Sequence, residues 1–212
     1  LELIRKTHQD AKAVGLSSPL LLKADGTKFG KSESGTLWLD QTLTTPYELY
    51  QYFVNASDAD VLNYFNMLTL LPDETIQTYI QKMNEAPHLR EAQKKLAEEV
   101  VKMVHGQKAL EKAIQVTESL FSGSFSDLDE EALAMMSKTL PQTSNKTLMD
   151  ALIDLGLAQS KREAREFLSN GAITLNGEKI QDVEKMLSKE DFLAGLYAIV
   201  RRGKKKYGVI IN

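Results

Sequence analysis

The chain has no cysteine and three histidines, His8, His88 and His105, among 212 residues. Disulfides and thiolate metal sites are thereby excluded, and with no histidine partnered at ligand spacing no metal site is expected. No run approaches the roughly 18 apolar residues of a membrane helix, and no signal peptide is read at the start. The phosphate-binding pattern GxxxxGK[ST] is missing too, which sets P-loop enzymes aside. What is present is an ordinary globular composition, 42% apolar. It suffices for one large domain or two to three small ones, and a cytoplasmic location is expected.

The net charge of −3 hides an asymmetry. Residues 1–145 carry a net −6, whereas residues 146–212 carry +3. A basic end on an acidic body implies an anionic partner for that end.

One stretch near the start, Lys23 to Gly35, reads KADGTKFGKSESG. Lys28 and Lys31 stand among Gly26, Gly30 and Gly35, with the Ser32 hydroxyl directly after. Glycine lets the backbone approach a ligand closely, and ammonium groups suit phosphate oxygens. The spacing by itself fits a solvated turn as well as a polyphosphate loop. The string KFGKS is similar to the KMSKS signature of class I aminoacyl-tRNA synthetases, and PLLLKADGTKFGKS, Pro19 to Ser32, resembles its form in bacterial tyrosyl-tRNA synthetases. The resemblance continues to the last residues.

That resemblance implies ATP as a substrate, with Mg2+ on its phosphates, and activation of tyrosine to an adenylate before transfer to tRNA-Tyr. Lys28 and Lys31 match the two signature lysines and Ser32 the hydroxyl position. Phe29 and Gly30 would complete an ATP-binding loop, Phe29 as a packing residue, with Gly30 and Gly35 as hinges. Mobile cations that tighten on phosphate in the transition state fit such chemistry. The family's HIGH-type motif has no counterpart, so the chain is expected to be the C-terminal half of a larger enzyme. Alone it should not form the adenylate, and the full-length protein is expected to be a homodimer.

In order along the chain, Leu1–Val14 has helical spacing, and Leu20–Leu22 reads as a short buried strand before an Asp25-Gly26 turn. Thr45-Pro46-Tyr47-Glu48 is a capping box opening a helix to about Val54. Further helices are expected from Ser57 to Leu70, from Asp73 to before Pro87, from His88 to Gly106, from Lys108 to Phe121 and from Asp129 to Lys138. HLREAQ at His88 resembles a helix beside the anticodon arm in the family, making Arg90 and Lys94 candidate RNA neighbours.

From Lys146 the pattern changes. Leu148, Leu152 and Leu155 mark a helix stopped at Gly156, Ser160-Lys161-Arg162-Glu163 caps another that stops at Asn170-Gly171, and Asn176-Gly177 joins two short strands. This ααββ order, with GLAQSKREAR followed by an NG turn and a basic finish, is similar to the alpha-L RNA-binding module. Candidate RNA contacts are Ser160, Lys161, Arg162, Arg165, Asn176, Gly177, Lys179, Arg201, Arg202, Lys204, Lys205 and Lys206. The last five crowd one hairpin tip with no acid after Asp191.

The expected fold is therefore mainly α with a C-terminal α+β module. Residues 1–44 would end a Rossmann-type catalytic domain carrying the loop, 45–138 an α-helical anticodon-side domain, 139–146 a linker and 147–212 the alpha-L module. Tryptophanyl enzymes share the class but lack such a module. The alternatives are a non-catalytic RNA-binding protein or an RNA-modifying enzyme, such as a pseudouridine synthase, that carries the same module.

Overall fold

The computed structural model describes residues 2–8, 12, 14–29, 31, 32 and 35–212, with Lys31, Ser32 and Gly35 described in their backbone alone. It divides into two compact units, Leu1–Thr36 and Leu37–Asn212.

Among the described residues the first unit holds one helix, α1 (Glu2–Thr7), and two two-residue strands, β1 (Lys31–Ser32) and β2 (Gly35–Thr36). The helix is less than half the expected length, since His8, Lys12 and Val14 lie outside it. It buries no residue, and an unpacked helix of this size has little to offset its nucleation cost. The expected strand at Leu20–Leu22 shrinks to a single antiparallel bridge between Leu22 and Lys28, and Leu20 is exposed.

The second unit begins with a helical body. The expected Thr45 box forms in full: the Glu48 N–H donates to Thr45 Oγ1 at 3.2 Å and the Thr45 N–H to Glu48 Oε2 at 2.7 Å, opening α2 (Pro46–Val54). α3 (Asp58–Leu68) and α4 (Asp73–Glu85) follow. Ser57 sits at the N-cap of α3 but donates its hydroxyl to Asp60 instead of accepting from the helix. The helix expected from His88 is interrupted: Pro87–Leu89 forms a 3-10 turn, Arg90 adopts φ 52°, and α5 runs Glu91–His105. Gly106 then turns the chain into α6 (Gln107–Ser122), and Asp129 caps α7 (Glu130–Thr139).

α2 packs on α5 and α6, and α3 on α5, and these helices bury Leu49, Phe53, Val61, Phe65, Leu96, Val101 and Leu110. The buried face of α5 carries Ala92, Leu96, Ala97, Val100 and Val101, while Met103 is exposed. Along α5 Lys95 pairs with Glu99 at 2.7 Å, and Glu91 reaches back to Lys82 at 2.9 Å.

The polar stretch 139–146, read as a linker, carries β3 (Gln142–Thr143). Beyond it come α8 (Leu148–Asp154), α9 (Lys161–Ser169), β4 (Ile173–Leu175), β5 (Glu178–Ile180), β6 (Tyr197–Arg202) and β7 (Lys206–Ile211). The strands form one sheet in the order β3-β7-β6-β4-β5, antiparallel except for β3 beside β7. Side chains alternate across a strand. Thus Ala198 and Val200 join Ile173, Leu175 and Ile210 in a core under α8 and α9, whereas Ile199 joins Val116, Phe125, Leu133 and Met136 of the helical body. Both faces of the sheet are covered, and so β6 shows a continuous apolar run with no polar alternation.

Candidate functional site

Two groups of residues carry the sequence-level candidates. In the first unit, a tight turn shapes the glycine-lysine loop. The Gly26 N–H donates to the Lys23 carbonyl and the Lys23 N–H to the Thr27 carbonyl, both at 2.9 Å, with Gly26 at φ 81°. Asp25 accepts from both the Thr27 N–H and its hydroxyl, which holds the carboxyl below the usual carboxylate range. The turn therefore projects Lys28 into solvent, while Phe29 is half-buried and its N–H donates to the Leu21 carbonyl at 3.2 Å. Lys31 and Ser32 then form β1, opposite Thr36 and Gly35 of β2. Gly30 lies outside the described residues. Lys28 and Lys31 thus flank the step from one turn into the next hairpin.

In the second unit the basic candidates separate into two sets. Arg162, Arg165, Lys179, Lys204, Lys205 and Lys206 are exposed. Lys161 is exposed as well but pairs with Asp150 at 2.8 Å. Among the described residues no carboxylate pairs with Lys204, Lys205 or Lys206, which stand at the β6–β7 tip. The N-terminus of α9 is already capped: Ser160 Oγ accepts from the Glu163 N–H, and Glu163 accepts from the Gln159 N–H.

Arg201, Arg202, Asn176 and Gly177 face inward. The Arg202 guanidinium lies 4.3 Å from the centre of the Phe167 ring, donates to the Leu157 carbonyl and sits 3.6 Å from Glu163. It ties β6 to α9. Asn176 takes φ 50° at the β4–β5 turn, donates to the Asp191 carbonyl at 2.7 Å and accepts from the Ile199 N–H at 2.8 Å. The accepting residue belongs to a 3-10 turn whose Asp191 carboxyl, opposed by burial, is held low by Lys185 at 2.9 Å and by Ser188. Arg201 and Gly177 meet the helical body at Gly123. Arg90, offered as an RNA neighbour, also turns inward: its Nε donates to the Val54 carbonyl at 2.7 Å and its Nη2 to that of Ala56. Lys94 is exposed.

Residues missed in the sequence are Gly123, Phe125 and Tyr207, which join the sheet to the helical body. The signal was there in the unbroken apolar runs Tyr197–Val200 and Val209–Ile211, since a strand apolar at every position has neither face free.

Residues 1–122 match the family of tRNA synthetases class I (W and Y), and residues 127–210 match the Tyrosine--tRNA ligase SYY-like C-terminal domain. The first match spans more than half of the chain, which places it among the class I aminoacyl-tRNA synthetases. Within that class the chain belongs to the tyrosyl-tRNA synthetase family. It is 49% identical over 214 aligned residues to a tyrosine-tRNA ligase of Geobacillus stearothermophilus, covering 99% of this chain and 51% of the relative. Against the Staphylococcus carnosus ligase the identity is 48% over the same shares. The chain spans about half the length of these curated relatives. A solution structure of a tyrosyl-tRNA synthetase C-terminal domain is 38% identical, covering 42% of this chain and 97% of that one, with a TM-score of 0.34. No helix among the described residues is long and apolar enough to cross a membrane.

Proposed function

We propose that the chain is the part of a tyrosine-tRNA ligase that supplies the ATP-phosphate loop and the grip on tRNA-Tyr. In the whole enzyme, a homodimer in this reading, tyrosine attacks the α-phosphate of ATP to give tyrosyl-adenylate and pyrophosphate, and the tyrosyl group then passes to tRNA. Lys28 and Lys31 stabilise charge on the phosphate oxygens, which also carry Mg2+, with the Ser32 hydroxyl assisting. Phe29 and Gly30 shape the loop around the nucleotide. The exposure of Lys28 on a fixed turn supports a cation that reaches its ligand by loop closure.

The observation that carries the RNA half of the reading is the β6–β7 tip. Three consecutive lysines with no carboxylate partner among the described residues repel one another, and an anion beside them removes that cost. Arg162, Arg165 and Lys179 add exposed cations on the same module, suited to a phosphate backbone read by shape more than by sequence. Nothing in the match over residues 1–122 favours the RNA-modifying alternative.

The test is binding of the chain to tRNA-Tyr and to a tRNA with a short variable arm across a salt series, alongside a variant with Lys204, Lys205 and Lys206 changed to Gln. Preference for tRNA-Tyr, steep weakening with salt and a loss in the variant are expected. Equal, salt-insensitive binding by parent and variant would remove the RNA grip from this module.

A further inference from the structure

We infer that Arg201 and Tyr207 form a docking clamp that seats the C-terminal sheet on the end of α6, and that Arg201 affects RNA affinity through this seating and not by touching RNA. The second clause rests on the RNA-binding reading above; the first does not.

The clamp follows from strand periodicity. Ile199 and Arg201 on β6 point away from α8 and α9, and the register sets Arg201 opposite Tyr207 on β7 and opposite Thr174 on β4. All three therefore share the sheet face that meets the helical body. There the Tyr207 hydroxyl donates to the Leu120 carbonyl at 2.5 Å, in the last turn of α6. Its ring meets Phe125 edge-on, the centroids 6.3 Å apart. The Arg201 guanidinium lies 6.0 Å from the Tyr207 ring centre and packs on Gly123, the αL residue that ends α6. A helix C-terminus carries partial negative charge from its free carbonyls, so a cation and a phenol donor are the groups that complement it.

The fit around Gly123 is close from two sides. A Cβ at Gly123 would collide with the Arg201 guanidinium, and one at Gly177 would lie 2.5 Å from the Gly123 carbonyl oxygen. The β4–β5 turn and the β6–β7 hairpin thus converge on one residue of the helical body. Arg201 Nε and Thr174 Oγ1 are buried without hydrogen-bond partners. An arginine whose Nε is closed off from solvent is poorly placed to meet a phosphate, unlike the lysines at the hairpin tip. Unseating the module would expose Ile199 and leave the Leu120 carbonyl without the Tyr207 donor.

Because the chain has no cysteine, a Lys108→Cys, Glu184→Cys pair reports the spacing between helical body and module through two spin labels. The parent should give one narrow distance distribution. Arg201→Gln and Gly177→Ala should broaden it and weaken tRNA-Tyr binding about tenfold, since an unseated module must be ordered again on binding. Neither should change the slope of log affinity against log salt. Lys205→Gln should lower that slope by close to one unit, as loss of one phosphate contact does, and leave the distances narrow. Gly177→Ala removes no charge, and it keeps the test decisive if Arg201→Gln folds poorly. A slope lowered by Arg201→Gln with distances unchanged would make Arg201 an RNA contact and overturn the clamp's role. A broad distribution in the parent, or a narrow one in both variants, would overturn the seating. If the parent binds no tRNA at all, the RNA-binding reading fails, and the label distances alone still decide whether the module is seated.

Discussion

The guanidinium of Arg90 reaches back across the helical body to the end of α2, where it holds the carbonyls of Val54 and Ala56. Those carbonyls lie past the last helical hydrogen bonds, and a charged donor satisfies both from one side chain. Arg90→Gln should therefore lower the unfolding free energy by about 2–4 kcal/mol, two charge-assisted bonds being lost, with the slope of tRNA binding against salt unchanged. Denaturant midpoints and the salt series check the two halves of that statement. Tyr50 offers a second single-residue test. Burial, with Glu98 and Glu118 nearby, pushes its phenol up to about 12, whereas the unfolded chain ionises at the ordinary tyrosine value near 10. Its contribution is complete below about pH 10 and is lost as pH rises through about 12, because only the unfolded state releases the proton in that window. The denaturant midpoint should fall between about pH 10 and pH 12, and Tyr50→Phe should flatten the fall. Residue identity gave no means of sorting such cations. Arg90, Arg201 and Arg202 read as candidate RNA contacts, and their inward course is set by a left-handed residue and a strand register that no local pattern encodes.

At the level of elements, short-range chemistry was legible and its absence of support was not. The Thr45 box, the Asp129 cap, the Gly106 turn and the Asn176-Gly177 hairpin all lie where their residues place them, since each needs only neighbours within four positions. α1 falls short because helical spacing is not enough without a surface to bury. The break at Pro87–Leu89 shows the same limit, as it depends on Arg90 finding carbonyls more than thirty residues away. Asn176 joins both scales. Its φ of 50° suits the turn, and its amide links β6 to the 3-10 turn at Asp191. Asn176→Ala forfeits two hydrogen bonds and puts a methyl at positive φ, so a loss of about 2–3 kcal/mol is expected by chemical denaturation. Asn176→Gly, which relieves only the backbone, should recover a minor part.

Over the whole molecule, charge and packing divide the work. The basic end predicted from the −6 and +3 halves is concentrated further by the fold, because Arg201 and Arg202 are drawn inside and the exposed cations remain at the hairpin tip and along α9. Neutralising Lys204, Lys205 and Lys206 together should lower the salt slope by about 2–3 units if each meets a phosphate. The helical body and the module, separate stretches when read along the chain, share one apolar cluster through Ile199, and the stretch between them contributes β3 to the sheet. That sharing restricts how the parts can be exchanged. A chimera that grafts residues 142–212 onto the helical body of another synthetase inherits a sheet with an open apolar face, and it needs a recipient with glycine where Gly123 stands. Substitutions at Gly123, Gly177 and Arg201 are therefore expected to be tolerated as a set and not singly, so that the three positions behave as one inherited character.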